Sequence, residues 1–342
     1  MKVINITKEF IFEEDRPFDS AHASTLIQLE DGSILAAWFA GSWEGAPDVG
    51  IWTSVRGSAG WEPCRCVVDF RGTPLWNPVL FQKKDGTILL FFKAGVTIPE
   101  WKTWVVSSGD GGRSWSEPRE LVEGDSCGGR GPVKNKPIYL ENGDILAPAS
   151  VEGETWDAFV DISRDGGETW EKSAMVPLRR AGYQIEMLHR PYDPCRCFGK
   201  GIIQPTMWQD GEGGVHMLLR STSSKVFRSD SADNGRTWNL AYATDIPNNN
   251  SGLDLVRLPG GGLVLACNPV DNLPNYYKGP RTPLSLLASE DNGAKWKELA
   301  VLEDGVGGFA YPAIICNERN EIFVTYTWKR ERIAFARITY EP

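Results

Sequence analysis

The sequence predicts an all-β fold, a six-bladed β-propeller, on three observations. One eight-residue pattern, S-x-D-x-G-x-x-W, stands at 108–115, 163–170, 231–238 and 289–296, with first serines 55, 68 and 58 residues apart. A period of that size marks units that cannot bury an apolar face alone and stack on their neighbours. Strand signals recur in sets of four, and the last set holds only three strands while an unassigned strand, 3–12, stands at the N-terminus. A closed ring leaves no open edge, so that strand is expected to complete the last blade between the two termini.

Each element has its own warrant. In the repeated pattern the Asp and Ser side chains can bond nearby backbone N–H groups, Gly supplies positive φ, and Trp anchors the turn. Residues 54–61 read as a fifth, eroded copy without its Asp. The first set of strands is 21–29, 33–39, 49–55 and 61–69, and the second is 76–82, 87–93, 103–108 and a strand after Trp115. The third is 136–140, 144–150, 158–163 and a strand after Trp170; the fourth is 203–208, 214–220, 225–229 and a strand after Trp238. The fifth is 253–258, 262–268, 284–289 and a strand after Trp296; the sixth is 311–316, 321–328 and 333–340. Asp-Gly and Asn-Gly pairs between the first two strands of several sets are strong hairpin signals. No linker interrupts the series, so 1–342 is expected to be a single domain, with 179–200 its main irregularity.

Composition narrows the partners. A net charge of −9 argues against nucleic acid and anionic membranes. The N-terminus has no long apolar run and carries acids early, so neither a signal peptide nor a membrane span is expected, and a cytoplasmic location follows as the default. The seven cysteines, 64, 66, 127, 195, 197, 267 and 316, are expected as reduced thiols. The Cys64/Cys66 and Cys195/Cys197 pairs could bridge a metal, but thiols without a role are the better expectation. No ligand spacing predicts a metal, and no cofactor motif is present. Oligomeric state is open.

In a propeller the start of each first strand and the end of each second strand open on one face. The first-strand starts give His22, Asn77, Lys136, Gln204, Asp254 and Tyr311, and Asn77, Lys136, Gln204 and Tyr311 precede proline. The second-strand ends give Lys93, Glu152, Arg220, Asn268 and Arg330, and connecting loops add Glu44, Asp48, Arg130 and Lys134. Such a collar is costly to bury without a ligand or mutual pairing. Cations at many stations of an acidic protein favour a grip on an anionic sugar over a self-paired, hydrated pore mouth. His216, inside a strand, is expected in the core; His189, on the long insert, could touch substrate.

The repeats resemble the Asp-box of the sialidase-like (BNR-repeat) β-propellers. Segments 24–37 (STLIQLEDGSILAA), 131–137 (GPVKNKP) and 311–315 (YPAII) look like the predicted-neuraminidase branch, and the resemblance covers nearly the whole chain. It implies a carboxylate clamp of three arginines, an Asp acid/base on a first-blade loop, and a last-blade Tyr nucleophile activated by a Glu. On this chain those roles fall to Asp48, Tyr311 and Glu152, with Glu186 in reserve, and to Arg220 and Arg330 in the clamp. Arg130, Lys136, Gln204, Lys93, Asn77 and Asp254 would bind substrate. Where sialidases carry Arg-Ile-Pro, this chain has Ala21-His22-Ala23, so His22 takes an arginine's station. The implied activity is exo-hydrolysis releasing a terminal acidic sugar from an oligosaccharide. The alternatives are a lyase or hydrolase at a rhamnose–glucuronate type linkage, with His22 as base beside Arg130, Lys136 or Tyr311, and a non-catalytic carbohydrate-binding propeller.

Overall fold

A computed structural model describes residues 1–125, 129–181, 196–274 and 276–342. It contains six antiparallel sheets in up-and-down order, the blades of a six-bladed β-propeller. The chain divides into two compact units, 1–136 with 311–342, and 137–310.

The first unit holds three blades. The first is Ser20–Gln28, Ile34–Gly41 and Gly50–Gly57, with Gly60–Trp61 and Arg65–Val68 both paired to the third strand. The second is Leu75–Gln82, Ile88–Ala94, Lys102–Ser108 and Arg119–Glu120. The sixth is Phe309–Cys316, Glu321–Trp328, Arg332–Glu341 and, on its outer edge, Lys2–Phe10. The N-terminal strand therefore pairs where the missing fourth strand was expected, with Lys2 opposite Glu341 and Phe10 opposite Ala334. Ile11, Phe12, Phe18, Leu26, Trp38, Phe323 and Phe335 form a core cluster shared by strands of the first and sixth blades.

The second unit holds the other three. The third blade is Ile138–Tyr139, Ile145–Glu152, Trp156–Ser163 and Glu171–Lys172, and the fourth is Ile202–Gln209, Val215–Ser221, Lys225–Ser231 and Tyr242–Pro247. The fifth is Asp254–Arg257, Leu263–Cys267, Leu284–Ser289 and Lys297–Glu303. Cores fill the space between consecutive sheets, with Leu146, Met217 and Phe227 between the third and fourth and Leu218, Leu255 and Leu265 between the fourth and fifth. Within the long insert, Arg179–Ala181 pairs in parallel with Arg196–Phe198. Glu186, His189 and Cys195, and Cys127 earlier in the chain, lie outside the described residues.

The four repeated turns share one geometry. The Ser hydroxyl donates to the Asp Oδ1 at 2.8 Å in each. It also accepts the Gly N–H at 2.8–3.0 Å. Two consecutive residues are left-handed, Gly111–Gly112, Gly166–Gly167, Asn234–Gly235 and Asn292–Gly293, which only Gly and, less readily, Asn adopt cheaply. A Cβ on Gly112 would strike Leu35, and one on Gly235 would strike Leu146. Each of these turns is thus keyed into the preceding blade of its own unit. The eroded copy behaves otherwise: without an Asp, the Ser54 hydroxyl donates to the Glu62 carbonyl at 2.7 Å, and Trp61 Nε1 donates to Glu9.

Candidate functional site

The first strands carry a repeated irregularity. Their pairing with the second strands shifts register between His22 and Thr25, between Trp76 and Val79, and between Ile203 and Thr206. At the shift the backbone turns left-handed, at Ala23 (φ 53°), Asn77 (φ 44°) and Gln204 (φ 54°); Tyr311 (φ 55°) adopts the same form in the sixth blade. Asn77, Gln204 and Tyr311 each precede proline, and a residue before proline ordinarily keeps to extended backbone. The strain is therefore held by the surrounding sheet, and strain held this way clusters at functional sites. The common station in the first blade is Ala23 rather than His22. His22 stands one residue earlier and pairs with Phe39, as Trp76 pairs with Lys93 and Ile203 with Arg220. No proline follows Ala23, so the sequence carried no mark for that register.

In the first unit these strands bring His22, Tyr311 and Lys134 together. His22 is 1% exposed, its ring centroid 4.3 Å from that of Tyr311 and 5.5 Å from that of Phe39. Its Nδ1 lies 2.7 Å from the Thr327 hydroxyl oxygen, which also accepts the Ala23 N–H. The Lys134 ammonium is 5.9 Å from the Tyr311 ring centroid and donates to Asn135 Oδ1 (2.9 Å) and to the Pro312 carbonyl. It thereby ties down the peptide that follows the strained Tyr311. The Lys93 ammonium, fully buried, donates to the Thr103 hydroxyl and the Arg130 carbonyl, both at 2.6 Å, so it fixes the backbone of the loop that carries Arg130. Asn77 is buried at its station, and Lys136 is half-buried close enough to Cys316 to pull that thiol's pKa down against the larger effect of burial.

The 42–48 loop follows the strand that pairs with His22. Asp48 accepts the Ser42 hydroxyl at 2.5 Å and the Ser42 N–H at 3.1 Å, and these bonds hold its carboxyl below the usual range against an opposing push from desolvation. Asp48 is thus a carboxylate at neutral pH, in the form of a base. Glu44 pairs with Arg330 at 2.7 Å, and the Arg330 carbonyl accepts the N–H of Ala21, next to His22.

In the second unit, Arg220, Gln204 and Glu152 come together. The Arg220 guanidinium donates from Nε to Asn250 Oδ1 (2.8 Å) and from Nη1 to Gln204 Oε1 (3.1 Å), and it lies 5.3 Å from the Trp156 ring centroid. Gln204 Nε2 is 3.5 Å from Glu152 Oε1. The two amide oxygens hold the guanidinium in place. Asp254 accepts the Thr206 hydroxyl at 2.8 Å, tying the first strands of the fourth and fifth blades. Asn268 likewise spends its amide N–H groups on the Pro283 and Phe309 carbonyls.

His216 is taken up elsewhere in the unit. It is buried as expected, with Nδ1 2.6 Å from Asp230 and Nε2 2.8 Å from Asp210, and stacks on Trp208. The described cysteines are thiols, with burial pushing Cys64, Cys66, Cys197 and Cys316 up to about 11 and Cys267 to about 12. No group of three or more His, Cys, Asp or Glu suited to a metal ion occurs among the described residues.

Sequence reasoning missed Thr327, Asn135, Trp156 and the run Asn248–Asn249–Asn250–Ser251. That run is 0–1% exposed. Asn248 Oδ1 accepts the Ser221 N–H (3.3 Å), Asn250 Nδ2 donates to the Tyr277 carbonyl (2.9 Å), and left-handed Asn250 presents its oxygen to Arg220. Four uncharged polar residues in succession, with no hydrophobic partner to alternate with, were the available signal.

Solved structures share this fold. A protein of unknown function from Dyadobacter fermentans superposes with a TM-score of 0.76 at 18% identity, over 98% of this chain and 99% of that one. A Trypanosoma rangeli sialidase in complex with the inhibitor DANA gives 0.74 at 13% identity, over 98% of this chain and 60% of that one. The intramolecular trans-sialidase from Ruminococcus gnavus gives 0.71 at 12%, over 97% and 98%. At these identities the likeness is one of fold. No curated protein matches the chain. A family model described as a BNR repeat-like domain matches residues 32–324, the span that holds all four repeated turns, and the chain belongs to that family.

Proposed function

We propose that the protein is an exo-acting glycoside hydrolase of the sialidase type, which releases a terminal acidic sugar from an oligosaccharide with Tyr311 as nucleophile. One observation carries the reading. Tyr311 is held in a strained backbone form before Pro312, with the His22 imidazole at 4.3 Å and the Lys134 ammonium at 5.9 Å from its ring. A buried aromatic hydroxyl residue in forced geometry beside a histidine and a fixed cation is a costly arrangement for structure alone. In this reading the Tyr311 oxygen attacks the anomeric carbon as the bond to the leaving sugar breaks, and the phenolic proton ends on the departing sugar oxygen. The Asp48 carboxylate then takes a proton from a water whose oxygen attacks the anomeric carbon as the bond to the Tyr311 oxygen breaks, and that proton returns to the tyrosine oxygen.

A second reading is favoured by His22 itself. Its Nδ1 is fixed by Thr327 at a station where the resemblance implies arginine. Elimination at a uronate linkage needs one positioned base, and His22 would serve.

Digestion of an acidic-glycan panel, with products weighed by mass spectrometry, separates the readings: hydrolysis adds water, and elimination leaves an unsaturated sugar absorbing in the ultraviolet. On the substrate so found, hydrolysis predicts that Tyr311→Phe is the severe change and His22→Ala the mild one. The reverse order supports elimination. Near-full activity in both variants sinks both readings, and no turnover of any glycan by the parent supports a non-catalytic carbohydrate-binding propeller.

A further inference from the structure

The second unit has a groove that the proposed chemistry does not use. It measures about 1070 Å³ and is lined by the outer strand of the fourth blade, Tyr242–Pro247, and by residues 291–298 of the fifth. Tyr242 pairs with Arg228 and Pro247 with Lys225, and every residue from 242 to 247 lines the groove, so it runs the length of that strand. Buried Ile246 and Leu287 give it an apolar lining, and the half-buried Tyr242 and Trp296 rings border it. The volume stands at the top of the range for small-ligand sites and suits linked units better than one small molecule.

The turn at 289–296 departs from the other three where it borders this groove. In those, the residue before the tryptophan carries a hydroxyl that donates to the second Asp oxygen. Ser114 donates to Asp110 and Thr237 to Asp233 at 2.6 Å, and Thr169 to Asp165 at 2.5 Å. In the fourth turn that residue is Lys295. Its N–H still donates to Asp291 Oδ1 at 2.8 Å, but it has no hydroxyl to give Oδ2. The turn keeps its form with one carboxylate oxygen open, and Asp291 and Lys295, both exposed, line the groove.

The lining selects the class of ligand. Lys295 and Lys297 are outnumbered by Asp245, Asp291 and Glu298, and the Arg228 guanidinium is held by Asp230, which disfavours an anion. An extended peptide adding to the outer strand is disfavoured too. The Thr244 hydroxyl takes the Ile246 N–H (3.3 Å), and Pro247 has no N–H to offer. A neutral saccharide fits both parts of the lining. Aromatic rings suit the C–H faces of its sugars, and carboxylates and an ammonium suit its hydroxyls. The rings are set in advance: the Tyr242 hydroxyl donates to Asp230 at 3.3 Å, and Trp296 Nε1 donates to the Gly293 carbonyl at 3.0 Å. They would lose little freedom on binding.

We propose that this groove is a second saccharide site, which holds a neutral oligosaccharide through Tyr242, Asp245, Asp291, Lys295 and Trp296 and takes no part in bond cleavage. It uses none of the residues assigned to hydrolysis or elimination, so it stands or falls apart from both.

The test is affinity electrophoresis of the whole protein through gels containing arabinoxylan, galactomannan, mixed-linkage glucan or dextran, all neutral, and polygalacturonate, which is acidic. At least one neutral polymer is expected to retard the parent more than polygalacturonate does. Calorimetry with a hexasaccharide of that polymer then gives the affinity. Lys295→Thr, which restores the hydroxyl of the other turns, should weaken it at least about tenfold and melt no lower than the parent. Asp245→Ala, at an exposed position, should weaken it in the same direction. Tyr311→Phe should bind as the parent does. No retardation by any neutral polymer, or stronger retardation by polygalacturonate, overturns the proposal. So does an affinity that survives both Lys295→Thr and Asp245→Ala, or one that is lost in Tyr311→Phe.

Discussion

The turns at 108–115, 163–170, 231–238 and 289–296 and the left-handed stations of the first strands are both repeats, and they repeat in opposite ways. At the turns the side chains recur and so do their bonds: Ser to Asp at 2.8 Å four times over. The Ser hydroxyl and the Gly N–H are satisfied within the same eight residues each time. At the stations the backbone recurs, at φ 44–55°, but the side chains are Ala23, Asn77, Gln204 and Tyr311. A position where geometry repeats and chemistry varies is one where the fold supplies a mounting and the side chain is left to function. Regular chemistry marks structure here, and irregular chemistry on a regular backbone marks the candidate site.

The sharpest way to break that distinction is at Tyr311. If the stations serve function, Tyr311→Phe should lower kcat about 10³-fold or more on the substrate of the parent and leave the melting temperature within a degree or two. A large fall in melting temperature with proportionate activity would make Tyr311 a structural residue like those of the turns.

The opposite pattern is expected at Asp165. Its carboxylate accepts the Thr169 hydroxyl and N–H and the Ser163 hydroxyl. Asp165→Ala should cost about 1–2 kcal/mol of stability, read as a lower denaturation midpoint, with kcat unchanged at temperatures where the variant is folded.

Acid offers a third contrast. Bonding by the Thr169 hydroxyl, more than any other cause, pulls the Asp165 pKa down to about 2, and Asp110, Asp233 and Asp291 are lowered in the same direction. A carboxyl whose folded pKa lies below its unfolded value near 3.8 gives its full stabilisation above that value. It loses that stabilisation as pH falls toward 2. Melting temperature should therefore drop between about pH 4 and pH 2, and Asp165→Asn should flatten part of that slope. An unchanged slope in the variant would show that the turn carboxylate is not linked to folding.

The smallest effect is expected at Ala23, the station whose side chain is only a methyl group. Ala23→Gly relieves the left-handed strain of an L-residue but raises the freedom of the unfolded chain, so a gain under about 1 kcal/mol is expected. A loss of a kcal/mol or more would mean that the methyl packs in a way the strain argument ignores.

The blades were legible because the information that makes them is local. Asp-Gly and Asn-Gly hairpins, the Ser-Asp-Gly-Trp turns and the missing fourth strand of the last set each sit within a few residues, and Lys2–Phe10 pairs where that count required. The site was legible only as a list. Lys93 read as a substrate cation and Lys134 as a loop member of the polar collar, and their ammoniums hold the Arg130 and Pro312 carbonyls. Asp254 read as a ligand group and ties Thr206. A long cation and a buried carboxylate look the same in sequence whether they meet a ligand or a carbonyl.

By itself, then, the sequence determined the number of blades, their strand order and the turns that fasten them, because short-range hydrogen bonds and backbone preferences decide those. Tertiary structure alone decided which residues meet. His22 reaches Thr327 across 305 residues, and Lys134 reaches Pro312 across 178. In the first, second and fourth blades the pairing register of the first strand shifts by a residue at the left-handed station, and His22, opposite Phe39, stands one residue before that station. Such contacts depend on cross-strand register and on where sheets pack, quantities that no single segment of chain specifies.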